Sequence, residues 1–202
     1  SAQIDRLYIN PSAQTGPFYG TTETLAEMIN SGKFLVNFLG HGGGAVWADR
    51  SLFNLNSIEE LTNTDRLPVI TSFTCFTASF ETEAGLGEGM LLSDAGAIGF
   101  IGSSGLGWII NDYLLLQPIF RRLFDPEQSY TVGEAIQLGK REYFLQGLYD
   151  DHIRTMVHQY NYLGDPSIRL PIDLVAENLT LNPPDPRPGE SVSVPVPEGT
   201  NF

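Results

Sequence analysis

The chain has 202 residues, 42% of them hydrophobic, and 11 Lys and Arg against 24 Asp and Glu give a formal net charge of −13. That length and apolar content suffice for one good-sized core and exclude a disordered chain. The acidity excludes the basic footprint that nucleic-acid binding or docking on anionic lipid requires, and it reads first as a solvated surface.

Residues 1–5, Ser-Ala-Gln-Ile-Asp, carry neither a basic start nor an apolar core, so they are not read as a signal peptide. The absence of an initiating Met reads as a processed or excised piece and says little about location. Residues 4–9 alternate enough for a strand or strand edge, and 10–20, with two Pro and two Gly, form a loop. A helix is predicted over 21–30, capped by Thr21 or Thr22, with Leu25, Met28 and Ile29 on one face. Residues 34–39 are an apolar strand covered on both faces. A glycine-rich loop, 40–49, follows.

Asn56 or Ser57 starts a short helix over 58–62, with Glu59 or Glu60 as capping-box partner. Residues 68–73 are a second buried strand, 75–87 a loop, 89–93 a short helix and 97–101 a third buried strand. A helix over 111–123 contains Pro118, which predicts a kink or a late start. The clearest helix is 131–144, capped by Thr131 with Glu134 three residues on. A further helix over 151–160, a turn at 161–166 and a short strand at 168–170 complete the pattern.

Strand alternating with helix predicts an α/β domain with a mostly parallel sheet over 1–174. Residues 182–197 hold six Pro and alternating Ser-Val, so 175–202 reads as a linker and the start of an immunoglobulin-like β segment. No apolar run approaches the roughly 18 residues that span a bilayer.

Two apolar runs each end on a reactive residue, Phe34-Leu-Val-Asn-Phe-Leu-Gly-His41 and Leu67-Pro-Val-Ile-Thr-Ser-Phe-Thr-Cys75. Chemistry in α/β folds collects at the carboxyl ends of strands. Cys75 is the only cysteine, which excludes an internal disulfide. A thiol needs a proton acceptor to become a nucleophile, and an imidazole supplies one and later returns the proton. The expectation is a cysteine protease with Cys75 as nucleophile, His41 as general base and acid, and the backbone N–H groups of Gly42 and Cys75 facing the oxyanion. The competing readings are a buried inert cysteine and a histidine held by a turn.

Ser103, Ser104, Trp47 and Trp108 follow or flank strand ends and are candidate substrate-binding residues, with turn and packing roles as the alternatives. Glu81, Glu83 and Glu88 read as a solvated loop that is also suited to a basic side chain or a cation. His152 and His158 are poorly spaced for shared metal ligation on a helix. His41-Gly-Gly-Gly44 also matches an esterase oxyanion motif, but no G-x-S-x-G elbow accompanies it.

An apolar strand ending in His-Gly, then another ending in Cys, resembles the caspase-like cysteine peptidases, and within them the gingipain family. The resemblance rests on Asn37-Phe-Leu-Gly-His41-Gly-Gly, Trp47-Ala-Asp, Thr74-Cys75-Phe, Ile4-Asp-Arg-Leu-Tyr and Tyr160-Asn-Tyr-Leu-Gly-Asp-Pro, and covers residues 4–172. The surface sortase of type IX secretion is similar to the same family. The resemblance implies a caspase-like three-layer sandwich and a secreted or surface endopeptidase acting on protein or peptide through a Cys75 acyl-enzyme. A sortase-like transpeptidase and a non-catalytic binding or assembly module are the alternatives. It implies no cofactor for the chemistry, a structural calcium with unassigned ligands, and a catalytic domain longer at its amino end. A third catalytic group and the P1-selecting residue are therefore expected in a missing amino-terminal segment.

Overall fold

The structure, a computed structural model, describes residues 3–8, 16, 18–48, 52–81, 85–147 and 150–172. β5 (Val69–Phe73) and β6 (Gly99–Ser103) are buried along their whole length and form the middle of a four-stranded sheet. β1 (Leu35–Leu39) lies outside β5, and β7 (Tyr160–Gly164) outside β6. β1, β5 and β6 run parallel, and β7 is antiparallel to β6.

Side-chain alternation along the central strands sends residues into two cores. Ile70 and Phe100 join a cluster with Leu25 and Ile29 of α1 (Thr22–Asn30) and Leu86 and Met90 of α2 (Leu86–Leu92). Val69, Phe73 and Ile101 face the opposite layer. That layer contains α3 (Ile109–Leu123), α4 (Val132–Leu145) and α5 (Asp151–Gln159). The result is a three-layer α/β sandwich with a mostly parallel sheet. A second, three-stranded sheet of β2 (Gly42–Gly43), β3 (Val46–Trp47) and β4 (Phe53–Asn54) sits beyond the tip of β1.

Local chemistry explains the helices. Thr21 caps α1, and Thr131 and Glu134 form a reciprocal capping box on α4. α3 continues through Pro118, whose ring is buried. α3 and α4 are joined at the surface by Glu142, which accepts from Arg121 at 2.7 Å and Arg122 at 2.8 Å. Those hydrogen bonds, Arg122 first, hold the Glu142 carboxyl below its ordinary 4.5. A depressed carboxylate stabilises the fold above the unfolded value, and that contribution is lost as pH falls through the folded one. Glu142→Gln is expected to cost about 0.5–1 kcal/mol at neutral pH, because the pair is partly solvated. Urea denaturation of mutant and wild type should begin to converge as pH falls through 4.5 and meet once pH is below the folded value; a gap that does not narrow below 4.5 would refute the charge-based origin.

Several expected boundaries move. β1 is an edge strand, flanked only by β5 among the described residues, and is not covered on both faces: Val36 and Phe38 pack on the core, while Asn37 and Leu39 on the other face are exposed. The loop predicted over 40–49 contains the β2–β3 hairpin. The helix expected over 58–62 is a 3₁₀ turn, Leu55–Glu60, capped by Asn54 with Ser57, so Glu59 and Glu60 are not its capping partners. α2 begins three residues early, and the third strand lies at 99–103 rather than 97–101.

Residues 160–164 pair as β7 where the end of a helix at 160 and a turn over 161–166 were expected; β6 supplies the ladder partner that the sequence alone does not announce. Residues 168–170 form no strand; the Ile168 carbonyl instead accepts from Val132 N–H at the start of α4. Of the strand expected over 4–9, the described residues show one bridge, Tyr8 to Tyr19. The immunoglobulin-like expectation for 175–202 lies outside the described residues.

Candidate active site

β1 and β5 pair with a constant offset: Leu35 faces Val69 and Leu39 faces Phe73, a difference of 34 (73 − 39). His41 and Cys75 differ by the same 34 (75 − 41), so continuing the ladder two residues sets them level. The ladder does continue, since Gly40 N–H donates to Phe73 O at 3.3 Å. Beyond it the two tips stay in contact: a Cβ on Gly42 would lie 2.8 Å from Thr74 Oγ1. Any side chain at position 42 would wedge the tips apart.

The hairpin orients an amide. Ala48 N–H donates to His41 O at 2.7 Å, so that pair is of the hydrogen-bonded kind. The next pair, Gly42 with Trp47, is then of the non-bonded kind, and Gly42 N–H faces away from β3. The hairpin is anchored to β5 by a buried polar chain. Trp47 Nε1 donates to Ser72 Oγ at 2.8 Å, and Ser72 Oγ shares a hydrogen bond of 2.9 Å with Thr77 Oγ1. Thr74 Oγ1, buried between these contacts, has no hydrogen-bond partner among the described residues.

Cys75 is a free, partly buried thiol and His41 is exposed. The next residue, Phe76, has φ 59°, a left-handed conformation that a bulky side chain adopts only under constraint. Phe76 N–H donates to Gly105 O at 3.0 Å and Ala78 N–H to Ser103 O at 2.9 Å, which supply that constraint. The chain therefore turns sharply after the sulfur, and the loop following β6 forms the adjoining wall. Gly107 N–H donates to Cys75 Sγ at 3.2 Å, and the thiol faces Gly107 O at 3.7 Å.

The other candidates divide. Trp47 is in the core, 1% exposed and stacked on Phe38 at 4.9 Å, so it packs and anchors the hairpin instead of forming a cleft wall. Ser103 is fully buried and bonds the Gly105 backbone; Ser104 Oγ donates to Gln159 O. Both hydroxyls hold the 103–107 loop. Trp108 is 38% exposed at the start of α3, edge-on to His152 at 4.9 Å. Glu81 is exposed, Glu88 lies in α2, and Glu83 is outside the described residues. No group of three or more His, Cys, Asp or Glu among the described residues is placed to hold a metal ion, so none is assigned to the calcium that the resemblance implies. A cavity of about 630 Å³ between α4 and β7 is lined by neither Cys75 nor His41.

The sequence model of peptidase family C25 matches residues 1–171. The chain belongs to peptidase family C25. The family is one of peptidases. No curated protein matches it. Solved structures share the fold of this C25 chain, among them these three. The Arg-specific cysteine proteinase gingipain R (RgpB) is 21% identical with a TM-score of 0.67, covering 74% of this chain and 36% of gingipain R. The complex of Porphyromonas gingivalis RgpB pro- and mature domains is 20% identical with a TM-score of 0.64, covering 74% and 37%. A third structure, described only as a protease, is 22% identical with a TM-score of 0.65, covering 78% and 39%. The C25 chain thus spans little more than a third of each.

Sequence reasoning missed Asp112, Gly107 and the Ser72–Thr77 pair. Asp112 is the one acid within the apolar run Trp108–Leu116, a usable signal. Ser72 and Thr77 carry no signal beyond their neighbourhood to Cys75.

Proposed function

We propose that this chain carries the nucleophile and the general base of a secreted or surface cysteine endopeptidase. The observation that supports it most is the shared level of His41 and Cys75 at abutting strand tips. Cys75 Sγ attacks the peptide carbonyl carbon while His41 accepts the thiol proton. The oxyanion is met by Gly42 N–H, which is turned out of its hairpin, and by Cys75 N–H. His41 returns the proton to the leaving amine and a thioester remains. Water then gives its proton to His41, attacks the thioester, and releases the carboxylic acid and the thiol.

Trp108 is the substrate-binding residue we retain, since it is exposed beside the loop that touches the sulfur. The rest of the cleft, with the P1-selecting residue, is assigned to an amino-terminal partner segment, in keeping with the third of gingipain R that this chain spans. No described helix is long and apolar enough to cross a membrane.

A P1-diverse peptide library offered to the full-length protein tests the reading. Hydrolysis that disappears with Cys75→Ala is the expected result. An added amine acceptor that captures the acyl group in place of water would replace hydrolysis with transpeptidation. No turnover, with iodoacetamide labelling of Cys75 no faster than that of a free thiol, would leave a binding module.

A further inference from the structure

Asp112 and Tyr160 are buried ionisable groups that the proposed chemistry does not use. Asp112, in the first turn of α3, is 2% exposed, and Tyr160, opening β7, is 1% exposed. Tyr160 Oη donates to Asp112 Oδ1 at 2.6 Å. Burial raises the Asp112 carboxyl above its ordinary value, partly offset by this bond. Burial raises the Tyr160 phenol far more, and the neighbouring Asp112 and Cys75 push the same way, so the phenol keeps its proton. Such a buried polar pair adds little stability over a well-packed apolar one. Its neighbours suggest another role.

The same Asp112 carboxylate occupies the space that a side chain at Gly107 would need. A Cβ at position 107 would lie 2.8 Å from Asp112 Oδ2 and 3.0 Å from Oδ1. Gly107 is the residue whose N–H reaches the Cys75 sulfur. Tyr160 stacks its ring on Phe73, two residues before Cys75, at 5.3 Å. Its backbone is held in turn, since Lys140 Nζ donates to Tyr160 O at 2.7 Å. One hydrogen-bonded pair therefore contacts both the strand that carries the sulfur and the loop that donates to it. Gln159, the residue before Tyr160, secures the same loop by donating to Leu106 O at 2.6 Å.

We propose that Asp112 and Tyr160 are positioning residues that hold the Gly107 N–H on the Cys75 sulfur, making Gly107 a third backbone donor at the nucleophile. This rests on the reading of Cys75 as nucleophile. A thiolate accepts such a bond more strongly than a thiol does, so the donor favours the reactive form.

Hydrogen exchange at the Gly107 amide and the pH–rate profile of iodoacetamide labelling, both on the full-length protein, test it. Tyr160→Phe and Asp112→Ala should each raise Gly107 exchange about tenfold or more over amides of the α4 interior. Both should slow labelling at pH 7 and move its profile to higher pH. Asp112→Asn keeps an oxygen to accept the phenol and should retain most of the protection. The double variant should be no worse than either single one, as expected of a pair acting as a unit. If Tyr160→Phe fails to fold, Gly107→Ala probes the same contact from the other side and should slow labelling. Gly107 exchange within twofold of wild type in Tyr160→Phe and Asp112→Ala overturns the proposal. Labelling of the wild type that is indifferent to His41→Ala instead overturns the peptidase reading, and leaves the exchange result to judge the pair.

Discussion

Peptide hydrolysis by the full-length protein will fall to background with Cys75→Ala and by roughly 10²–10⁴-fold with His41→Ala. The two losses differ in kind. Without the sulfur there is no acyl-enzyme at all. Without the imidazole the thiol must lose its proton to water, and the leaving amine must find another acid. The Gly42 and Cys75 amides remain in place, so some turnover persists in the histidine variant. The loss should lie in kcat more than in KM, since His41 acts on protons in flight and not on bound peptide. Iodoacetamide labelling at pH 6–7 gives a readout without substrate, and His41→Ala should slow it. Hydrolysis within threefold of wild type in the His41 variant would sink the dyad.

Gly139→Ala is expected to destabilise the fold although it places a better helix former in a helix. Alanine in a helix interior is favoured over glycine by about 1 kcal/mol. Here the new methyl would sit 2.5 Å from Ile119 Cγ1 and 2.9 Å from the Ile119 Cα and N. A side-chain tip can rotate away, but a backbone cannot, so α3 and α4 must separate. Overpacking of this kind costs about 1–3 kcal/mol, occasionally more. The backbone clash puts the steric term toward the upper end of that range, with a net loss of about 1–2 kcal/mol for Ala and more for Val.

Gly89→Ala is the control. Its methyl would meet only Leu55 Cδ2 at 2.8 Å and Ile58 Cδ1 at 2.9 Å, both flexible ends. That variant should be neutral or slightly stabilised. Urea midpoints decide it: equal effects at positions 139 and 89 would show that the α3–α4 approach is not tight.

The consequences of loosening that pair reach the sulfur. α3 begins two residues after Gly107, and α4 carries Lys140, which holds the Tyr160 backbone. The helix layer is thus coupled to the loop that touches Cys75 through named contacts. Gly139→Ala should accordingly raise Gly107 exchange by less than Tyr160→Phe does, because it moves the layer and leaves the phenol–carboxylate bond intact.

Much of this was readable from residues alone, for local reasons. Thr131 and Glu134 announce α4 because both halves of a capping box lie within four residues. The runs ending at His41 and Cys75 announce strands because their apolar content has no helical period. Their strand-end placement, with glycines following His41, was enough to nominate both residues and the Gly42 amide. The α/β class with a mostly parallel sheet follows from the alternation of elements, whereas its caspase-like character came from the resemblance.

What only the tertiary structure decided depends on partners distant in sequence. β7 is a strand because β6 lies beside it; alone, Tyr160-Asn-Tyr-Leu-Gly reads as well as a turn. Trp47 follows a glycine loop as a cleft residue would, yet a hydroxyl 25 positions away at Ser72 draws its indole into the core. Asp112 meets Tyr160 across 48 positions (160 − 112), a contact that no local pattern encodes. Short-range capping and periodicity act within a few residues and so leave their mark on the sequence, whereas side-chain meetings across layers exist only after the sheet has set its register.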